Sequence, residues 1–473
     1  MKTKIKFGTD GWRAVIADEF TFENVERVAQ ATARFWLANP VDGTEATIVV
    51  GYDRRFLSDK FAESTASILC ANGFKVVLSD GPTLTQAVSF AVKEFNAVGG
   101  VMLTASHNPP IFNGFKIKAH YGGSAEPAIC QGIEAEVDQS DVRKMPLDQA
   151  REKGLIQSMD LRPMLFEAQK KLVDFDLISA SGLKFAHDPL FGVGAGCFEM
   201  LLEGTTCQVT TLNANHDPNF GGINPEPIRQ NYGPTAAYLK KNPHDVCLVT
   251  DGDADRVGGM DGHGEYVTTH QIISMLIRHM HKNRGQSGRV VKALTTTSMV
   301  DKICQDFGLE LMETGVGFKY VCAEMMKGDV LLGAEESGGI GFLGHIPERD
   351  GILAGLMLLE MLAMEKKSIQ QILGEMTEKY GPHCYDRIDG HFPLEKRQQL
   401  MEHCAANPPA SLAGSPIEEI KTFDGVKMVA RNGAWLMLRG SGTEPVLRIY
   451  AEAPSDAEVK TILEAGQALT RQV

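Results

Sequence analysis

Residues 97–109 read Ala-Val-Gly-Gly-Val-Met-Leu-Thr-Ala-Ser-His-Asn-Pro. The first seven are a short apolar run bounded by turn signals, which predicts a buried strand over Ala97–Leu103. That strand hands the chain to small residues and a proline-punctuated turn. Ser106 therefore stands at the carboxyl end of a strand, where open α/β sheets place their chemistry. Asn113-Gly114-Phe115-Lys116 follows, which sets a lysine ten residues beyond the serine.

Working outward, the same pattern recurs on both sides. A strand over 47–51 leads to a turn at 52–54, a helix over 59–71 ended by Asn72-Gly73, and a strand over 74–78. Strands over 183–187, 246–250 and 329–332 run into a glycine-rich turn at 191–196, an aspartate-rich loop at 251–256 and the loop at 333–339. Short β-rich runs alternating with longer segments of helical period are the signature of an α/β fold. The reading is three similar α/β domains at 1–148, 149–255 and 256–376. Strands over 427–431, 434–439 and 446–451 make a smaller C-terminal α+β domain of 377–473. Linkers are expected near 140–151, after Arg256 and at 380–382.

At 473 residues the chain is too long for one core. Hydrophobic residues are 43% and charged residues 23%, as in ordinary globular proteins. Acidic residues outnumber basic ones, 60 to 47, for a net charge of −13. Broad binding of nucleic acid or an anionic membrane needs a basic face, so no nucleic-acid or membrane partner is expected. An anionic substrate would be met by a few cations placed inside a cleft. Nine cysteines without a Cys-x-x-Cys pair fit reduced thiols. With no apolar leader after Met1 and no apolar run long enough to span a bilayer, a cytoplasmic location is expected.

Asp251, Asp253 and Asp255 alternate at a strand end, so extended geometry aims all three the same way. Gly252 and Ala254 keep the intervening side chains small. Three carboxylate ligands suit Mg²⁺, which keeps positions for water and a phosphoryl oxygen. A calcium EF-hand loop fails here: its sixth position is Arg256 rather than Gly, and its twelfth is Gly262 rather than Glu. The bland alternative is a solvated acidic turn. Ser106 read alone is a turn hydroxyl, and a hydrolase elbow of the Gly-x-Ser-x-Gly type is absent. A serine carrying a phosphoryl group beside Mg²⁺ accounts for both segments. Arg439-Gly440-Ser441-Gly442-Thr443 packs two glycines, two hydroxyls and a guanidinium, a nest for phosphate; a plain glycine-rich turn is its rival. Glu335 and Ser337 sit in a glycine-flanked loop from which both can reach neighbouring hydroxyls of a polyol, unless Ser337 only caps a helix.

Together these segments resemble the α-D-phosphohexomutase family, which includes phosphoglucomutase, phosphomannomutase and phosphoglucosamine mutase. The resemblance runs through 7–13, 104–109, 251–256, 314–320, 334–339 and 439–445, in the family's order. It implies four domains around a central cleft, with Ser106 phosphorylated in the resting enzyme. It also implies transfer from Ser106 to a hexose phosphate, with glucose 1,6-bisphosphate as intermediate and activator. Mg²⁺ would be held by Asp251, Asp253, Asp255 and the phosphorylated Ser106. Arg13 and Lys116 match positions near the transfer. Lys116 is the candidate general acid/base, its pKa depressed by Arg13 and Arg256, with a fixed charge paired to phosphate as its rival role; His107 and Arg256 complete the catalytic candidates. Lys319, Glu335, Ser337 and residues 439–443 match substrate-binding positions. Glucosamine-specific members usually carry Gln and His where this chain has Glu336 and Gly339, which argues for glucose or mannose phosphates. Phosphoglucosamine mutase is the alternative, followed by a phosphosugar-binding protein without turnover. A monomer or homodimer is expected.

Overall fold

The computed structural model describes residues 3–8, 11–440 and 445–472. Within them four sheets follow one another along the chain. In the first, Glu45–Tyr52 lies between Lys75–Ser79 and Ala97–Leu103, all three parallel. Phe112–Ala119 then returns antiparallel to Ala97–Leu103, and Gly11–Val15 pairs with it in a register that sets Arg13 against Gly114. Ile156–Met159 adds the far edge, parallel to Lys75–Ser79. The first sheet therefore reaches beyond residue 148, where the sequence reading ended it. The segment expected as a linker is tied down, because Met145 and Ser67 exchange hydrogen bonds and Leu147–Glu152 is helical.

The second sheet centres on Val246–Thr250, parallel to Lys184–Asp188. Val257–Asp261 returns antiparallel to it, followed by Tyr266–Val267. These strands carry the second unit past residue 255, since the aspartate loop is a turn inside one sheet and not a junction. In the third sheet Arg289–Ala293 is flanked by Leu311–Thr314 and Val330–Ala334, all parallel. Ile340–Phe342 returns antiparallel to Val330–Ala334. One device thus occurs three times: a buried central strand, a functional loop at its carboxyl end, and an antiparallel return.

The helix Gly351–Glu365 explains how the three units hold together. Thirteen of its fifteen residues, Gly351 through Ala363, are buried, and a helix that is apolar all round must be surrounded by core. It shares one apolar cluster with residues of all three sheets, among them Val49, Leu248 and Val290. Asp350 caps it by accepting from Leu353 N at 2.9 Å. The same carboxylate accepts from Gln86 at 3.2 Å, Gln169 at 2.6 Å and His345 at 2.9 Å. Among the described residues no helix is long and apolar enough to cross a membrane.

The fourth unit is an antiparallel sheet, from Cys384–His391 through Val446–Ala453, Trp435–Gly440, Val426–Ala430 and Ser415–Lys421 to Ser411–Leu412. It meets the third unit through polar contacts. Glu452 accepts from Ser298 N at 2.9 Å and Trp435 Nε1 at 3.1 Å, while Lys427 donates to the Leu294 carbonyl at 2.7 Å.

Candidate active site

The loops after Ala97–Leu103 and Val246–Thr250 pack directly on each other. Ser106 Oγ donates to Asp251 Oδ2 at 2.7 Å, and His107 Nδ1 lies 3.3 Å from the serine oxygen. Neither loop is relaxed: Ser106 has φ 52° and Ala254 φ 61°. Backbone in that region costs a non-glycine residue about 1–3 kcal/mol and persists only where the surroundings enforce it. Glycine permits the close approach. A Cβ on Gly252 would lie 2.6 Å from the Ser106 carbonyl oxygen, and one on Gly192 would lie 2.7 Å from that of Gly252. The glycine-rich turn at 191–196 is therefore the floor of the aspartate loop, with Val193 N donating to Gly252 O at 3.1 Å.

Asp251, Asp253 and Asp255 are fully buried, each offering an oxygen within 4.8 Å of the others. Burial, then the two neighbouring aspartates, push the Asp251 carboxyl well above its ordinary pKa. Burial opposes ionisation of Asp253 as well, but Lys116 and the Thr85 hydroxyl hold its pKa well below the usual value. Lys116 Nζ donates to Asp253 Oδ2 at 2.8 Å and reaches Asp255 Oδ2 at 3.4 Å. Oδ1 of Asp253 and Oδ1 of Asp255 are buried with no hydrogen-bond partner. Such an acceptor set, crowded, anionic and partly unsatisfied, fits a hard divalent cation. The three aspartates would hold it, with Ser106 Oγ at the edge of the set.

The other expected residues fall into three places. Arg13 donates to Asn108 Oδ1 at 2.6 Å, on the serine loop. Arg256 donates its backbone N to Asp251 Oδ1 at 3.0 Å and pairs its strand end with Gly339. That bridge joins the aspartate loop to the loop at 333–339, where Glu335 is 6% exposed and Ser337 Oγ is buried without a hydrogen-bond partner. Burial raises the Glu335 pKa to about 7 against the pull of Arg349. Glu336 turns elsewhere, accepting from Thr295 Oγ1 at 2.5 Å. Lys319 stands over the Tyr320 ring at 5.0 Å. Arg439 donates to Asp424 Oδ2 at 3.1 Å, and that oxygen also accepts from Val316 N at 2.6 Å. Asp424 so ties Arg439 to the turn that precedes the helix Phe318–Met325, which bears Lys319. Ser441, Gly442 and Thr443 lie outside the described residues.

Burial, then Arg256 and Arg13, hold the His107 pKa well below the ordinary value.

Residues 4–144, 164–264 and 268–380 match phosphoglucomutase/phosphomannomutase alpha/beta/alpha domains I, II and III, and 395–466 match the C-terminal domain of the same proteins. A crystal structure from Thermus thermophilus, assigned as a phosphomannomutase, is 37% identical, covers 100% of both chains and superposes with TM-score 0.87. The chain belongs to the phosphoglucomutase/phosphomannomutase family. A phosphoglucomutase/phosphomannomutase of Thermococcus kodakarensis is 28% identical over 97% of each chain. A phosphoglucosamine/phosphogalactosamine mutase of Sulfurisphaera tokodaii is also 28% identical, over 95% of each. The chain is thus a member of a phosphohexomutase enzyme family, and its fold is the family's three α/β/α domains followed by a C-terminal domain.

Two buried pairs of this phosphohexomutase site escaped the sequence reading. Arg55 holds the serine loop by its carbonyls, those of Ser106 at 2.7 Å, Asn108 at 2.8 Å, Pro109 at 2.8 Å and Phe112 at 3.0 Å. Asp53 orients it at 3.1 Å and accepts from Thr104 Oγ1 at 2.6 Å. In the sequence Asp53 and Arg55 are charges in a turn after an apolar strand, which reads as solvated surface. Arg349 and Glu348, in the loop before the buried helix, were equally silent. The one available signal was a charged cluster directly preceding the longest apolar run.

Proposed function

We propose that this chain is a Mg²⁺-dependent phosphohexomutase interconverting 1- and 6-phosphates of glucose, mannose or both, through phosphorylated Ser106 and a hexose 1,6-bisphosphate. The carrying observation is the 2.7 Å contact of Ser106 Oγ with Asp251 beside two unsatisfied, buried aspartate oxygens. Bound there, Mg²⁺ would offset charge on the transferring phosphoryl oxygens. Asp251, Asp253 and Asp255 hold it. Arg55 and Asp53 keep the serine loop in its strained form, so Oγ needs no rearrangement before transfer.

In the forward step a sugar hydroxyl oxygen forms a bond to phosphorus while the bond from phosphorus to Ser106 Oγ breaks. The hydroxyl proton leaves to a base, and the departing Oγ takes a proton. Lys116 is the proposed acid/base, with His107 beside Oγ as a neutral acceptor and Arg13 and Arg256 as fixed cations. Lys116 lies between two carboxylates, those of Asp253 and Asp255. Glu335 and the Ser337 hydroxyl receive the sugar, and Lys319 with the loop beginning at Arg439 receives the phosphate not in transfer. After the sugar turns over, its other phosphate returns to Ser106.

Glu336 is held by Thr295 and Gly339 has no side chain, which favours glucose or mannose. The Sulfurisphaera relative keeps glucosamine 1-phosphate as the second reading. The test is conversion of glucose 1-, mannose 1- and glucosamine 1-phosphate with Mg²⁺ and a trace of glucose 1,6-bisphosphate. Turnover of either of the first two that disappears in Ser106→Ala supports the reading. Turnover of glucosamine 1-phosphate alone selects the second reading. Binding without any turnover would replace both by a phosphosugar-binding protein.

A further inference from the structure

We propose that Arg349 is a positioning residue that fixes Asp255 and Glu335 with a single guanidinium, so that cation binding and sugar binding share one support. What those two carboxylates bind rests on the phosphohexomutase reading above. Nη2 of Arg349 lies 2.8 Å from Asp255 Oδ2, and Nη1 lies 3.6 Å from Glu335 Oε2. Its guanidinium is stacked over the Phe318 ring at 5.3 Å, and its side chain is 7% exposed.

The effect on Asp255 follows from its two oxygens. Oδ2 is occupied by Arg349 and Lys116, whereas Oδ1 has no hydrogen-bond partner. The occupied oxygen fixes the carboxylate plane, while the other, 3.9 Å from Arg256 Nε, has no hydrogen bond to give up to a cation. Partners that orient a ligand in this way carry a large part of a metal site's affinity. The effect on Glu335 follows from charge: without the guanidinium, two buried carboxylates from different loops would lose the one cation among the described residues that both of them pair with.

Arg349 is itself held. Its backbone N donates to Glu348 Oε1 at 3.1 Å, and Glu348 Oε2 pairs with buried Lys118 at 2.5 Å. Lys118 lies two residues beyond Lys116 on Phe112–Ala119, so both face the same side of that strand. Room for the Arg349 stem comes from Gly339, since a Cβ there would run into Arg349 Cγ at 2.9 Å. A larger residue at 339 and an arginine at 349 exclude each other, which makes the pair a unit.

The experiment uses the full-length protein and the Arg349→Met and Arg349→Lys variants. Mn²⁺ binding is read by electron paramagnetic resonance without sugar, and kcat and KM are read for glucose 1-phosphate. Arg349→Met is expected to weaken Mn²⁺ by about 10–100-fold and to raise KM by about tenfold. Arg349→Lys keeps the charge but lacks the fork, so it is expected to restore one of the two properties and not both. Unchanged Mn²⁺ affinity in a folded Arg349→Met protein would overturn the proposal, as would full rescue of both properties by lysine. If Arg349→Met does not fold, the lysine variant decides. If the unaltered protein turns over no hexose phosphate, the functional reading fails by itself, and the Mn²⁺ measurement alone then keeps or removes the role of Arg349.

Discussion

In the proposed role Glu335 accepts from two sugar hydroxyls, which it does best as an anion, yet its burial raises its pKa to about 7. Protonation converts one of its acceptor oxygens into a donor and removes the charge that strengthens both contacts. KM for the hexose phosphate is therefore expected to fall as pH rises from about 6 to about 8, beyond what titration of the substrate phosphate explains. Glu335→Gln carries the control: it should flatten that added dependence and raise KM at pH 8 by about tenfold. A parallel pH profile in the two proteins would remove Glu335 from sugar binding. At this scale the sequence was most legible where residue types cluster. Three alternating aspartates, a serine at a strand end and a glycine-flanked Glu-x-Ser announce themselves by spacing. Arg55, Asp53 and Arg349 do not, because their importance comes from carbonyls and carboxylates brought to them by distant parts of the chain.

The strand–loop–return unit decides how well those residues are placed. Its loops are short and both ends are pinned in one sheet, so a shift of one loop is passed to the loop packed on it. Gly252 is one such point, with the Ser106 carbonyl and the Pro225 ring within 3.0 Å of where a Cβ would stand. Gly252→Ala is expected to cost about 1–3 kcal/mol of stability through overpacking. It should lower kcat more than its KM, because it displaces Ser106 from the aspartates without touching Glu335. Measuring the thermal midpoint and the two kinetic constants together checks this, and unchanged kcat would show that the loops do not press on each other. Central strands such as Ala97–Leu103 and Val246–Thr250 could be read from sequence as apolar runs ending in turns. Their antiparallel partners could not. Val257–Asp261 carries Gly258-Gly259, a weak strand signal, and that is why the expected second unit stopped at 255.

Across the whole molecule, two kinds of junction divide the labour. The first three units share an apolar core around Gly351–Glu365 and converge on Asp350, which suits a rigid platform for loops that must meet within hydrogen-bond distance. The fourth is joined to the third by charge and by one small apolar cluster around Leu294. Glu313 is approached by Lys427 at 3.4 Å and Lys292 at 3.6 Å and pairs with Lys421. Burial disfavours its charge, but Lys427, Lys292 and Lys421 outweigh that and bring its pKa down to about 2. Polar junctions of this kind are compatible with relative motion, and the proposed turning of the sugar between two transfers would need one unit to move while the intermediate stays bound. Because the folded pKa of Glu313 lies below the ordinary 4.5, its contribution is complete above that value and is lost as pH falls toward about 2. Glu313→Gln leaves three lysines around a neutral group, and breaking a buried pair from one side typically costs about 3–5 kcal/mol. Denaturation of this variant near pH 7 should show an early transition assigned to the fourth unit, absent from the unaltered protein, and an acid limb between about pH 4.5 and 2 that is flatter. A single unshifted transition would mean that the apolar contacts of Trp435, Met437 and Tyr450 with Leu294 hold the fourth unit, and that the motion needed to reorient the sugar lies elsewhere in the chain.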